Sequence, residues 1–161
     1  MPENKGKEFE HRFLKEWCSL PGSFALRLPD QQSGYYGTSA NPCDFIRYHY
    51  PTLFLLELKT HQGNTFPFTA FRQYDKLKRL WDPNVPGIKI GVVLWMYSHD
   101  KIIYIPLSSF IAMEKDEKKS FNIKYLETQE YPCVEIPSTK LRTYLQANYA
   151  ILFDLARTDQ I

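Results

Sequence analysis

The chain has 161 residues, 43% hydrophobic and 16% aromatic, which is enough to bury one substantial core and too apolar for a disordered chain. Its net charge of +2 does not announce a nucleic-acid binder, although a small excess can still gather into a local basic surface. No apolar run approaches the roughly 20 residues that span a bilayer, and the Met-Pro-Glu-Asn-Lys-Gly start lacks a leader pattern, so a soluble cytoplasmic protein of one domain, 1–161, is expected.

Residues 6–20 place Phe9, Phe13, Leu14, Trp17 and Leu20 at helical spacing before Pro21-Gly22 ends the run, which predicts a helix with one aromatic stripe. At about 100° per residue Glu10 falls beside that stripe and Glu8 nearly opposite. Glu16 flanks the other edge and stays open as the inward acid, and a solvated rim carboxylate is the plain alternative. Residues 23–29 suit a short strand, and 30–42 a polar loop. In that loop Tyr35 and Tyr36, between Gly34 and Gly37, are either a stacking surface for bases or a lid packed back on the domain.

Residues 43–59 then read as two extended runs that pair as a hairpin through His49 to Thr52. The two-residue period sets Glu57 and Lys59 on one side of the second run and Phe54, Leu56 and Leu58 on the other, with Asp44, Ile46 and Tyr48 sharing a face of the first. A helix is expected from about Thr69, as N-cap, to Trp81, with Ala70, Gln73, Tyr74, Leu77 and Leu80 inward. Its opposite face carries Arg72, Lys76, Lys78 and Arg79, either a solvated face or a phosphate-contacting one.

Ile88 to Met96 is a continuous apolar run, hence a buried central strand, with Lys101 to Ile105 as its antiparallel neighbour. Residues 108–119 suit a short helix, and 125–136 an edge strand or ordered loop interrupted by Pro132. From Ser138 helical spacing resumes at Leu141, Tyr144, Leu145, Tyr149, Leu152 and Leu155, an apolar helix suited to pack on the sheet or on a second subunit.

The chemistry concentrates in 43–59. Glu57 and Asp44 supply hard oxygen ligands for Mg²⁺, helped by a backbone carbonyl such as that of Leu58, and Lys59 can neutralise charge on a phosphate. Glu-x-Lys alone is a weak pattern. Here it lies in FLLELK, apolar enough to be buried, and burying both charges costs several kcal/mol unless they serve each other or a metal. The three cysteines (Cys18, Cys43, Cys133) have no CxxC spacing and the four histidines no HExxH or finger spacing, which argues against disulfides and zinc.

Gly6-Lys7-Glu8-Phe9-Glu10, the Thr38 to Asp44 approach, Glu57-Leu58-Lys59-Thr60, and Phe66-Pro67, Phe71 and Gln73 stand in an order that resembles the PD-(D/E)xK nucleases. More narrowly the chain looks like the RecU-type Holliday-junction resolvases of Gram-positive bacteria and their phages. The resemblance implies a restriction-endonuclease-like α/β fold with a central mixed β-sheet flanked by helices. It implies Asp44 and Glu57 as metal ligands for Mg²⁺, with Mn²⁺ as a substitute, and Lys59 as the catalytic lysine. Glu10 would be an added acid near the metal, and Gln73 would touch the water or the scissile phosphate. Pro42 lies two residues before Asp44, and the segment before Asp44 is short with one basic residue, Arg27, so a phage-type enzyme cutting several branched DNAs in a bacterial host cell fits best. Paired nicks in a four-way junction call for a two-fold homodimer, with the N-terminal arm and the apolar C-terminal helix as candidate interfaces. A restriction or repair endonuclease, or a DNA-binding module that keeps the fold, are the alternatives, and the products of cleavage would separate them.

Overall fold

The structure, a computed structural model, describes residues 4–29 and 41–161. Helix α1 (Lys5–Cys18) opens on Asn4, whose side chain accepts from the Lys7 N–H, and it buries the stripe Phe9, Phe13 and Trp17. Strand β1 (Ser23–Arg27) precedes β2 (Phe45–His49) and β3 (Thr52–His61), which join through Tyr50-Pro51. Strand β4 (Thr65–Pro67), a 3-10 turn (Phe68–Ala70) and α2 (Tyr74–Leu80) lead to β5 (Ile88–Met96). Then come β6 (Lys101–Pro106), α3 (Leu107–Lys115), β7 (Ser120–Asn122) and α4 (Tyr125–Thr128). The chain closes with β8 (Val134–Glu135), β9 (Ser138–Lys140), β10 (Leu145–Ala147) and α5 (Ala150–Arg157).

Six strands form one sheet in the order β1-β2-β3-β5-β6-β8, with β3 and β5 parallel and the other pairs antiparallel. Parallel neighbours cannot be joined by a hairpin, and β4, the 3-10 turn and α2 supply the crossover. Strand alternation divides the side chains between two cores. One gathers Phe13 and Trp17 of α1, Phe54 and Leu56 of β3 and Phe153 of α5; the other gathers Leu77 of α2, Val92 and Leu94 of β5 and Phe110 of α3. The chain is thus an α/β protein with a central mixed sheet flanked by helices, and β5 and β6 stand where the apolar run predicts them. At Gly91 an added Cβ would meet the Tyr104 ring at 2.6 Å and the Ile105 carbonyl at 2.7 Å, so β5 and β6 pack at that distance only with glycine.

Three local expectations are corrected. The helix expected from Thr69 begins only at Tyr74: Phe71 leaves the 3-10 turn with ψ 70° and buries its ring 5.0 Å from that of Phe110, so packing overrides helical period. Residues 125–136 begin with α4 rather than a strand, because Asn122 accepts from the Lys124 N–H and Tyr125 packs on Phe121 and Tyr131. The long C-terminal helix splits into the β9-β10 hairpin and the short α5, whose Ala150 N–H is capped by Asn148. Both α1 and α5 turn their apolar faces onto their own sheet, with Phe153 5.0 Å from Trp17. Among the described residues no helix is long and apolar enough to cross a membrane.

Candidate active site

The β2-β3 register brings the carboxylates together. Phe45 pairs with Leu56, so Asp44 stands just past the last pair, level with Glu57. The Leu58 N–H, with no β2 backbone left to meet, donates instead to Asp44 Oδ2 at 2.9 Å. In an extended strand the N–H and C=O of one residue point to the same edge, so the Leu58 carbonyl lies on the Asp44 side of β3.

Alternation puts Glu57 and Lys59 on the face of β3 that meets the second core. Glu57 is 0% exposed, and Lys59 Nζ lies 2.7 Å from its Oε1. That contact is an ion pair; neither Glu57 oxygen has a partner in hydrogen-bond geometry among the described residues. Lys59 Nζ also donates to Gln73 Oε1 at 3.4 Å. Gln73 occupies the N-cap position of α2 instead of a helical stripe, yet its amide still reaches Lys59.

Asp44 and Glu57 lie close enough for the charge of one to act on the other. Two carboxylates hydrogen-bond only with a proton between them, and otherwise need a cation to offset their repulsion. Burial first, and then the charge of Asp44, push Glu57 up to about 7. Burial also raises Asp44, against the pull of the Leu58 N–H and of Lys59.

Glu10 is gripped by Arg27, which donates from Nε at 3.0 Å and Nη2 at 2.8 Å to Oε2, and its charge acts on Asp44. Glu16 lies instead by Ala147, in a groove with Tyr144 and Gln146. Of the two acids left open by helical period, Glu10 is therefore the one beside the pair. Two neighbours have no motif to announce them. Cys43 is buried, and burial together with Glu57 and Asp44 pushes its thiol up to about 12, so it remains a neutral wall. The only sequence signal for Arg27 is the alternation of β1, which turns Ser23, Ala25 and Arg27 to one face.

Among the described residues no group of three or more His, Cys, Asp or Glu side chains is gathered to hold a metal ion. The pair itself fits a hard divalent cation: two adjacent carboxylates, one fully buried without a hydrogen bond, beside a backbone carbonyl. Asp44, Glu57 and the Leu58 carbonyl would hold such an ion, while Glu10, held by Arg27, does not join them in a cluster.

The basic residues expected on the outer helix face divide. Arg72 and Arg79 are exposed and Lys76 is half-buried. Lys78 is bound to Glu114 at 2.5 Å, and Glu114 also accepts from the Tyr74 hydroxyl at 2.6 Å, so Lys78 ties α2 to α3. Tyr35 and Tyr36 lie outside the described residues.

No family model and no curated protein matches the chain. Among solved structures it is similar to Hjc, a Holliday junction resolvase from the archaeal hyperthermophile Archaeoglobus fulgidus, with 21% identity, coverage of 73% of this chain and 88% of that one, and a TM-score of 0.48.

Proposed function

We propose that the chain is a divalent-metal-dependent endodeoxyribonuclease of the PD-(D/E)xK class, one nuclease domain over 1–161, that nicks branched DNA including four-way junctions. The observation that carries this reading is the pairing of the half-buried Asp44 with the fully buried Glu57, with Lys59 2.7 Å from Glu57. A buried like-charge pair destabilises the fold unless something positive completes it. The motif order that resembles RecU-type resolvases supports junctions as the substrate, with Mg²⁺ as the cofactor and Mn²⁺ as its substitute, and supports a phage enzyme acting in a bacterial cell.

When bound, a divalent cation supplies Lewis-acid stabilisation of charge growing on a phosphate oxygen and makes water more acidic. The chain's own groups do the rest. Asp44 is held in place by the Leu58 N–H, so its carboxylate is preorganised. Lys59, fixed between Glu57 and Gln73, presents an ammonium to the phosphate. Arg72, next to Gln73, and Arg79, in the last turn of α2, are exposed and contact the flanking DNA backbone, which makes binding salt-dependent.

The test is incubation with a labelled four-way junction and a linear duplex of the same sequence, with Mg²⁺ and with EDTA. Symmetric paired nicks in the junction, absent in EDTA and in Asp44→Asn, are expected. Normal cutting by Asp44→Asn, or an untouched junction with wild type, would sink the reading.

A further inference from the structure

Past Lys59, β3 carries the face of the acidic pair one step further. His61 shares that face with Glu57 and Lys59, about 7 Å beyond the lysine along the strand. Its ring is set edge-on against Phe66 at 5.7 Å. Strands β3 and β5 are the parallel pair of the sheet and end side by side here, His61 next to Met96, with the Tyr97 N–H donating to the His61 carbonyl at 3.2 Å. The C-terminal ends of parallel strands are where open α/β sheets take their ligands. These two open on a hollow of about 540 Å³, lined among others by Thr60, His61, Gln62, Tyr97, Asn4 and Lys5.

The lining is selective. It contains no Asp or Glu, whereas the cleft beside α5 holds Asp82 and Asp159 and the groove on α1 holds Glu16. Among the described residues no carboxylate pairs with Lys5, whose ammonium lies over the Tyr97 ring at 5.1 Å and the Trp95 ring at 5.6 Å. Asn4 and Gln62 bring side-chain amides, which offer both donors and acceptors, and Gln62 Oε1 accepts from the Tyr97 hydroxyl at 3.5 Å. A cation, an aromatic ring and amides, with no acid among them, are the groups that hold a phosphate, a stacked base and a base edge.

We propose that this hollow takes one unpaired nucleotide of the strand that is cut, its base on Tyr97 and its phosphate at Lys5 and His61. A base inside a duplex cannot reach such a recess, so the nucleotide must leave the stack to enter it. A branch point with an unpaired nucleotide supplies one without melting; linear duplex does not. Lys59 and His61 are one strand repeat apart, so a strand whose scissile phosphate lies at Lys59 passes the hollow at a neighbouring nucleotide. The chain therefore selects an unpaired base beside the cut as well as the branch. The proposal rests on the nuclease reading in one respect, that the bound strand is the one cleaved.

Binding of the full chain to DNA in EDTA, scored apart from cleavage, tests the hollow. Junctions of one sequence are compared, fully paired or with a single unpaired fluorescent purine at the branch, placed in each strand in turn. Wild type is expected to bind at least one unpaired junction at least about fivefold more tightly than the paired one and to quench its purine. Tyr97→Leu should bring that ratio within about twofold and abolish the quenching. Lys5→Ala should lower the ratio and flatten the salt dependence by about one ion. If Tyr97→Leu loses its circular dichroism, Lys5→Ala and Gln62→Ala decide, since Lys5 is half-buried and Gln62 exposed and both should lower the ratio. A wild type that binds every junction alike, or binds none, overturns the proposal, as do folded variants that keep the full ratio. Cutting in Mg²⁺ separates the two readings. Preference and quenching without cleavage leave the hollow standing and sink the nuclease; cleavage without preference does the reverse.

Discussion

Strands β2 and β3 each bury one charged side chain completely, Arg47 and Glu57, on opposite faces of the sheet. Arg47 lies over the rings of Phe45, Phe13 and Trp17 at 4.4, 4.8 and 5.8 Å, and none of its side-chain nitrogens has a hydrogen-bond partner among the described residues. Burial pushes it down only to about 10, so it stays cationic at neutral pH, with aromatic faces in place of a carboxylate. Glu57 has the opposite surroundings. It is buried against its own sign, and that pair is incomplete without a proton or a cation. A buried charge among rings is part of the packing, whereas a buried charge beside a like charge is a demand for a ligand.

The sharpest way to break that contrast is Glu57→Gln, which keeps the shape and removes the charge. Cleavage in Mg²⁺ is expected to fall at least about a hundredfold, while the metal-free protein at pH 8 gains stability, read as a higher urea midpoint. Normal cleavage would make Glu57 a packing residue like Arg47. Lys59→Ala should lose cleavage to a similar degree but move stability the other way, by about 3 kcal/mol, because it strips a buried carboxylate of its ion pair. A Lys59→Ala chain as stable as wild type at pH 8 would show that Glu57 is already protonated there.

The acidic pair also predicts a pH dependence whose sign can be worked out. Glu57 rises from an ordinary 4.5 to about 7 in the folded chain. Below 4.5 it is protonated folded and unfolded alike and costs nothing. Between the two values the unfolded chain releases a proton that the folded chain keeps, so stability falls as pH rises, by on the order of 3 kcal/mol once pH exceeds 7. The upward shift of Asp44 has the same sign. Urea midpoints in EDTA at pH 5 and pH 8 measure the fall, and Mg²⁺ or Glu57→Gln should flatten it. A wild type and a Glu57→Gln chain with parallel profiles would remove Glu57 as its source.

Much of this site is legible in the sequence because strand alternation is a strict rule. Glu57 and Lys59 share a face whatever surrounds them, and Leu53 and Leu55 share it with them. Helical period is less binding. Leu141, Tyr144 and Leu145 fit a helix, but Leu145, Ala147 and Tyr149 fit period two equally well, and pairing with 138–140 decides between them. Gln73 reaches Lys59 for a different reason from its assumed stripe, because the burial of Phe71 shortens the helix to leave it at the N-cap. Contacts between residues distant in sequence leave no local trace at all. The Arg27 to Glu10 bond and the capture of Lys78 by Glu114 depend on how elements pack, and the second takes one cation from the face expected to meet phosphate.

The smallest expected effect tests the other half of the contrast. Arg47→Met removes the cation and keeps much of the volume among Phe13, Phe45 and Trp17. If the ring faces only offset the desolvation of the guanidinium, stability should change by less than about 1.5 kcal/mol in either direction. Arg47→Ala leaves a cavity in the same place and should cost about 2 to 5 kcal/mol. The gap between the two urea midpoints separates packing from charge, and cleavage should survive in Arg47→Met because the side chain faces away from Glu57. If Arg47→Met were as unstable as Arg47→Ala, the cation itself would carry the site. Were Arg47→Met instead to gain stability, as Glu57→Gln is expected to, Arg47 would be a charge waiting for a partner, and the rings around it would not be a sufficient one.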